Sequence, residues 1–170
     1  MATKTLKKAK KLTKAQMRVI VAKDALLQLQ LEKYQPKCGV YVDDDLKREI
    51  QYLPSQGKAN REDSVQPYLN NLNNCQVCAK GAIFLSSVRA FNDVTVGNFY
   101  EGAVDKAYSI FGESNLDRVE CAFEQWKDKN SVNGDKNTKL NKFIDKYPDT
   151  NKRLEAILRN IIKNKGTFKP

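Results

Sequence analysis

The segment from Cys75 to Phe91 constrains this chain more than any other. It reads Cys-Gln-Val-Cys-Ala-Lys-Gly-Ala-Ile-Phe-Leu-Ser-Ser-Val-Arg-Ala-Phe, and its apolar side chains point all round a helical wheel. A helix without a polar face has to be covered on every side, so the rest of the chain is expected to wrap around it. The stretch cannot be a membrane span: its most apolar part, Ala79 to Val88, contains Lys80, Ser86 and Ser87 and falls short of the ~20 residues a bilayer needs. Ala79, Gly81, Ala82 and Ser86 are small enough for neighbouring helices to approach closely, and Gly81, which costs ~1 kcal/mol against alanine in a helix, points to packing. With 170 residues, 41% of them hydrophobic, the chain can supply one such core.

The flanking segments also read as helices. Thr13-Lys14-Ala15-Gln16 is a capping box, followed by Met17, Ile20, Val21, Ala25, Leu27 and Leu31 at roughly helical spacing until Pro36 closes the segment. Leu26 and Leu29 widen its apolar face. Asp43-Asp44-Asp45 leads into a short helix over Leu46–Tyr52, ended by Pro54 and Gly57. Residues 53–66 form the longest polar connection and a candidate mobile loop. Asn98 with Glu101 opens a helix that buries Phe99, Ala103, Val104, Ala107, Ile110 and Phe111 before Gly112. Ser114 with Asp117 opens the next, burying Leu116, Val119, Phe123 and Trp126. The last helix places Leu154, Ile157, Leu158, Ile161 and Ile162 on one face; Pro148 and Asp149/Thr150 open it, and Gly166 sits where a left-handed C-cap belongs. Cys38–Val42 is the only β-like stretch and has no evident partner. The expectation is an all-α protein: a single compact domain over residues 13–170, five or six helices around a buried central helix at about 75–91, with a disordered lysine-rich tail at 1–12.

The sequence contains no histidine. That removes Ser-His-Asp and Cys-His nucleophile pairs, histidine metal sites and imidazole pH sensing. Thirty Lys+Arg against twenty Asp+Glu give a formal charge of +10, unevenly placed. Residues 1–14 hold Lys4, Lys7, Lys8, Lys10, Lys11 and Lys14 with no acid, and residues 136–170 carry +7, while the body at 15–135 carries −3. A lysine tail with few apolar residues cannot offset its ordering entropy, so it is expected to be mobile. Such lysines bind phosphate backbones by releasing counterions, although similar tails also serve solubility alone.

Other residues carry chemical alternatives. Cys75-x-x-Cys78 reads as a pair of small core residues, with a zinc site including Cys38 and Cys121, or a redox pair, as the competing readings. Asp43–Asp45 reads as an N-cap with favourable helix-end charge rather than a metal site. Lys127–Lys139, with the Asn133-Gly134 turn, does not place glycine where a calcium loop needs it. Lys80, Ser86 and Arg89 lie on the most apolar helix; they read either as members of internal ion pairs or as a pocket for an anion. Tyr34, Tyr41, Tyr52 and Tyr68 lie in or beside polar segments, where they are eligible to stack on bases. Phe84, Phe91, Phe99, Phe111 and Phe123 fit core positions.

Three stretches, Val19–Asp24 (VIVAKD), Cys75–Ala82 (CQVCAKGA) and Asn160–Phe168 (NIIKNKGTF), resemble a group of small uncharacterised proteins of bacterial genomes and their phages. The resemblance spans roughly residues 17–168 and implies a phage or prophage accessory protein, a class that often acts by binding host machinery. It brings no catalytic residue with it.

The functional expectation is a non-enzymatic, cytoplasmic binding protein, without cofactor, metal or membrane segment, whose basic ends engage an anionic partner, most simply nucleic acid. The residues expected to carry it are the six tail lysines together with Lys152, Arg153, Arg159, Lys163 and Lys165. The competing expectations are an inhibitor of a host defence protein acting by protein–protein docking, and a binder of an anionic nucleotide through Lys80, Ser86 and Arg89.

Overall fold

A computed structural model describes residues 11–91, 93–126 and 138–170. These form eight α-helices, a single 3-10 turn and a two-stranded sheet: α1 (Lys14–Gln30), β1 (Tyr34–Pro36), α2 (Asp44–Tyr52), α3 (Gln66–Asn70), β2 (Cys75–Val77), α4 (Ala79–Phe91), the turn Val96–Asn98, α5 (Phe99–Phe111), α6 (Glu113–Phe123), α7 (Thr138–Lys146) and α8 (Thr150–Lys163). The protein is all-α in class, and α4 is its buried centre. Every residue from Ala79 to Val88 is buried, Lys80, Ser86 and Ser87 included. The helices beyond the expected six are α3 and α7, both short. The tail expected at residues 1–12 lies outside the described residues apart from Lys11 and Leu12, which are exposed.

The central segment departs from the expectation at its start. Cys75–Val77 is not helical. It pairs in parallel with β1 (Tyr34 with Cys75, Gln35 with Gln76, Pro36 with Val77), and the Cys75 amide donates to Lys33 O. The apolar run therefore contains a buried strand followed by a buried helix, which periodicity alone does not separate. The Cys38–Val42 stretch is not a strand either; only Val42 forms an isolated bridge to Val77. This loop lies directly on α4 at Gly81, where a Cβ would overlap the Tyr41 carbonyl. The close approach expected at Gly81 is thus made by loop backbone rather than by another helix.

α1 is capped as its sequence implies. The Thr13 hydroxyl accepts from the Gln16 amide, and the Gln16 side chain accepts from the Thr13 amide. Its buried face is Val21, Ala22, Ala25 and Gln28, whereas Ile20, Leu27 and Leu31 are exposed. The apolar stripe expected to face the core is therefore only partly the one that does. Two alanines let α1 sit close to α4 and α8, and close approach here counts for more than side-chain size. Trp126, expected in the core, is also exposed. The 53–66 connection is pinned at its end by a bridge from Ser64 to Thr95 and by the buried Val65.

α8 follows its pattern, with Leu154, Ile157, Leu158 and Ile161 buried and Asp149 accepting from the Lys152 amide as its cap. Gly166, at φ 92°, receives the chain after Lys165, and its amide donates to Ile161 O. A Cβ at Gly166 would come within 2.7 Å of Ala15 O, so the end of α8 packs against the first turn of α1. Phe168 then folds back into the core, held through its amide by Asn115. The first turn of α1 and the end of α8 thus meet in space, with the two helices antiparallel.

Candidate functional site

The cations of α4 are neutralised internally. Lys80 Nζ lies 3.0 Å from Asp117 and 2.5 Å from Glu120, both on α6, and only 4% of its side chain is exposed. Burial works to lower its pKa, but the Glu120 and Asp117 carboxylates outweigh that and hold it above the ordinary lysine range. Glu120 also accepts from Tyr41, whose phenol burial and this bond push up to about 12. The Gly39 amide donates to both oxygens of Glu124. Glu120 of α6 and Glu124 at its C-cap therefore clamp the 38–41 loop, while Asp117 and Glu120 neutralise Lys80.

Arg89, at the other end of α4, pairs with Asp24 of α1 at 3.2 Å and donates through Nη1 to Leu69 O at 2.7 Å. Ser86 shares a buried hydrogen bond with Tyr34 at 3.2 Å. Tyr34 is fully buried, and its phenol is raised well above the ordinary range by desolvation. The three residues weighed as an anion pocket are not brought together: Lys80 faces α6, while Ser86 and Arg89 face β1 and α1 and are already partnered. Tyr34 is likewise withdrawn from any stacking role. Cys75 and Cys78 are buried and pushed up to about 11 by desolvation, so both are protonated thiols at neutral pH. Among the described residues, no three Cys, Asp or Glu side chains converge in a way that would hold a metal ion.

The basic ends are arranged differently. Lys11, Lys14, Lys152, Arg159, Lys163 and Lys165 are exposed, and Lys4, Lys7, Lys8 and Lys10 lie outside the described residues. Arg153 is the exception and a correction. It is fully buried, both Nη atoms donate to Pro148 O at 3.3 Å, and its guanidinium lies 5.8 Å from the centre of the Phe123 ring. With its oxygen turned toward Arg153, the Gln125 amide accepts at 2.8 and 3.1 Å. Its position on the inner face of α8, one residue after Lys152, turns it into the core. An arginine so placed holds the chain around Pro148 and does not reach a surface partner.

Lys152, Arg159 and Lys163 line a single groove of about 650 Å³ between α7 and α8, together with Lys146, Phe143 and Tyr147. They fall at i, i+7 and i+11 of α8 and so share one face. Glu155 is the one acid in the lining, and it is bridged to Arg159 at 2.7 Å. The rings of Phe143 and Tyr147 are 4.9 Å apart, Phe143 meets Phe168 edge-on at 5.3 Å, and Lys146 Nζ lies 5.4 Å from the Tyr147 ring. The arrangement is a half-buried aromatic floor with cations on its rim. Sequence reasoning had found the α8 cations but missed Phe143, Lys146 and Tyr147. The available signal was an aromatic pair four residues apart with Lys142 and Lys146 interleaved, following the polar 127–139 stretch.

No protein-family profile, no curated protein and no solved structure matches this chain.

Proposed function

We propose that this protein is a non-enzymatic binder of nucleic acid that uses the α7–α8 groove and the lysines around it. The observation that carries the reading is the contrast in charge pairing. Lys80 and Arg89 are committed to internal carboxylates, whereas Lys146, Lys152 and Lys163 line an open groove that offers one acid, already bridged to Arg159. Exposed cations of this kind attract a polyanion through counterion release, with an affinity that falls steeply with salt. The packing of Gly166 on Ala15 brings Lys14 to the same end of the molecule as Lys163 and Lys165, so these three lysines can share one anionic partner. The test is Lys152→Glu with Lys163→Glu. The double variant is expected to keep its melting temperature and lose binding to an oligonucleotide; retained binding refutes the reading.

A second reading, docking on a partner protein, is favoured by the exposed Ile20 and Leu27 of α1 and Leu31 at its C-cap. Nuclease treatment separates the two. A partner retained after nuclease and lost on Leu27→Asp supports protein docking, and one lost with nuclease supports the groove.

A further inference from the structure

Resting on the nucleic-acid reading above, we infer that the α7–α8 groove takes a single strand rather than a duplex, with a base stacked on Tyr147 and phosphates on the rim lysines. The shape argues for it first. Duplex DNA is read by a convex helix or ribbon entering the major groove, whereas this surface is a cleft between two helices. Its volume of about 650 Å³ suits a few nucleotide units and not a double helix.

The floor argues the same way. Phe143, Tyr147 and Ala156 line the groove below the cations. A duplex keeps its base faces stacked inside and gains little from an aromatic floor, while unstacked bases gain a great deal from one. The charge order along α8 adds a third argument. Lys152 and Lys163 stand about 16 Å apart at the helical rise, and Glu155 with Arg159 lies between them as a closed pair. A cationic site at each end with a neutralised middle fits a strand whose phosphates lie at the ends and whose bases lie over the centre.

The path also continues. A neighbouring cavity of about 460 Å³ shares Lys152 and Glu155 with the groove and is lined by Gln30, Gln35 and Asn151, with Glu32, Leu29 and Tyr34 completing its wall. Side-chain amides of this kind donate to and accept from exposed base edges, which only an unpaired strand presents in full. The occupant therefore runs along α8 between Lys163 and Lys152, over the Phe143 and Tyr147 floor, with the second cavity adjoining at Lys152.

The experiment is fluorescence anisotropy on the full chain with three labelled probes of equal length: an oligothymidylate, an abasic phosphodiester oligomer and a duplex. The oligothymidylate is expected to bind about tenfold or more tightly than the abasic oligomer, because each stacked base adds affinity that phosphates alone do not. Its logarithmic salt slope is expected near −2, for about three phosphate contacts. Tyr147→Leu is expected to erase the preference for the oligothymidylate over the abasic probe. The wild-type comparison of thymidylate with abasic probe stands even if that variant fails to fold. Equal affinity for thymidylate and abasic probes, or tighter binding of the duplex, overturns the single-strand inference and leaves nucleic-acid binding in place. No binding to any probe removes both.

Discussion

Two sets of cations on two helices of this protein have opposite fates. On α4, Lys80 and Arg89 point into a shell of carboxylates and carbonyls supplied by α6, α1 and the end of α3. On α8, Lys152 and Lys163 point into an open groove, while Arg153, on the inner face, is buried against Phe123 and Pro148. The residue types are the same, so the difference lies in what the neighbouring elements bring. A buried cation has to be partnered, because an unpaired one costs several kcal/mol. A cation on a groove rim has no such requirement and stays available to a ligand. The lesson is that local charge density is a poor guide to binding until the acids packed against it are known.

The sharpest way to break this comparison is at Lys80. Lys80→Met leaves Glu120, only 13% exposed, without its cation, and should cost about 3 kcal/mol in urea unfolding. A loss below about 1 kcal/mol would place Lys80 among the dispensable surface cations. The same cluster predicts an alkaline limit. Lys80 is held protonated above the ordinary lysine value, so its stabilising contribution is complete below that value and lost as pH rises through the folded one. Tyr41 keeps its proton up to about 12, against ~10 when unfolded, so between those values the folded state binds more protons and stability falls with rising pH. Thermal melts above pH 10 should show the decline, and Tyr41→Phe should make it shallower.

Arg89→Ala is the intermediate case. Its partner Asp24 is 20% exposed, so water takes up part of the loss, and a destabilisation of about 2 kcal/mol is expected with groove binding intact. A stable Arg89→Ala protein that no longer binds would move the site from α8 to α4. On the other side of the comparison, Lys163→Glu alone should shift stability by no more than about 0.5 kcal/mol and still weaken oligonucleotide binding severalfold. The smallest effect is expected from deleting residues 1–10. If Lys4, Lys7, Lys8 and Lys10 add only diffuse attraction, the salt dependence flattens while the preference for single strands survives. An unchanged slope would clear the tail of any part in binding.

What the sequence determined by itself was the helical class, the buried centre and the clearest helix ends, while the caps expected at Asn98 and Ser114 are not made. These are local or compositional: the Thr13–Gln16 capping box, the period of Leu154 to Ile161, the left-handed position at Gly166 and the all-round apolarity of Ala79–Val88 are all present in the structure. Only the tertiary structure decided that Cys75–Val77 is a strand, because a short apolar run reads equally as strand or buried helix until its partner, Tyr34–Pro36, is alongside. It also decided which side of α1 faces inward, through close packing at Ala22 and Ala25. The candidate site divides in the same way. Lys152, Arg159 and Lys163 were legible as cations of the basic C-terminal segment, but not as sharing one helix face. The role of Arg153 was not, since a basic residue in a basic segment looks the same whether it faces solvent or the Phe123 ring. Nor was the union of α8 with Phe143 and Tyr147 of the neighbouring helix region, because a groove belongs to the packing of two elements and to neither sequence alone.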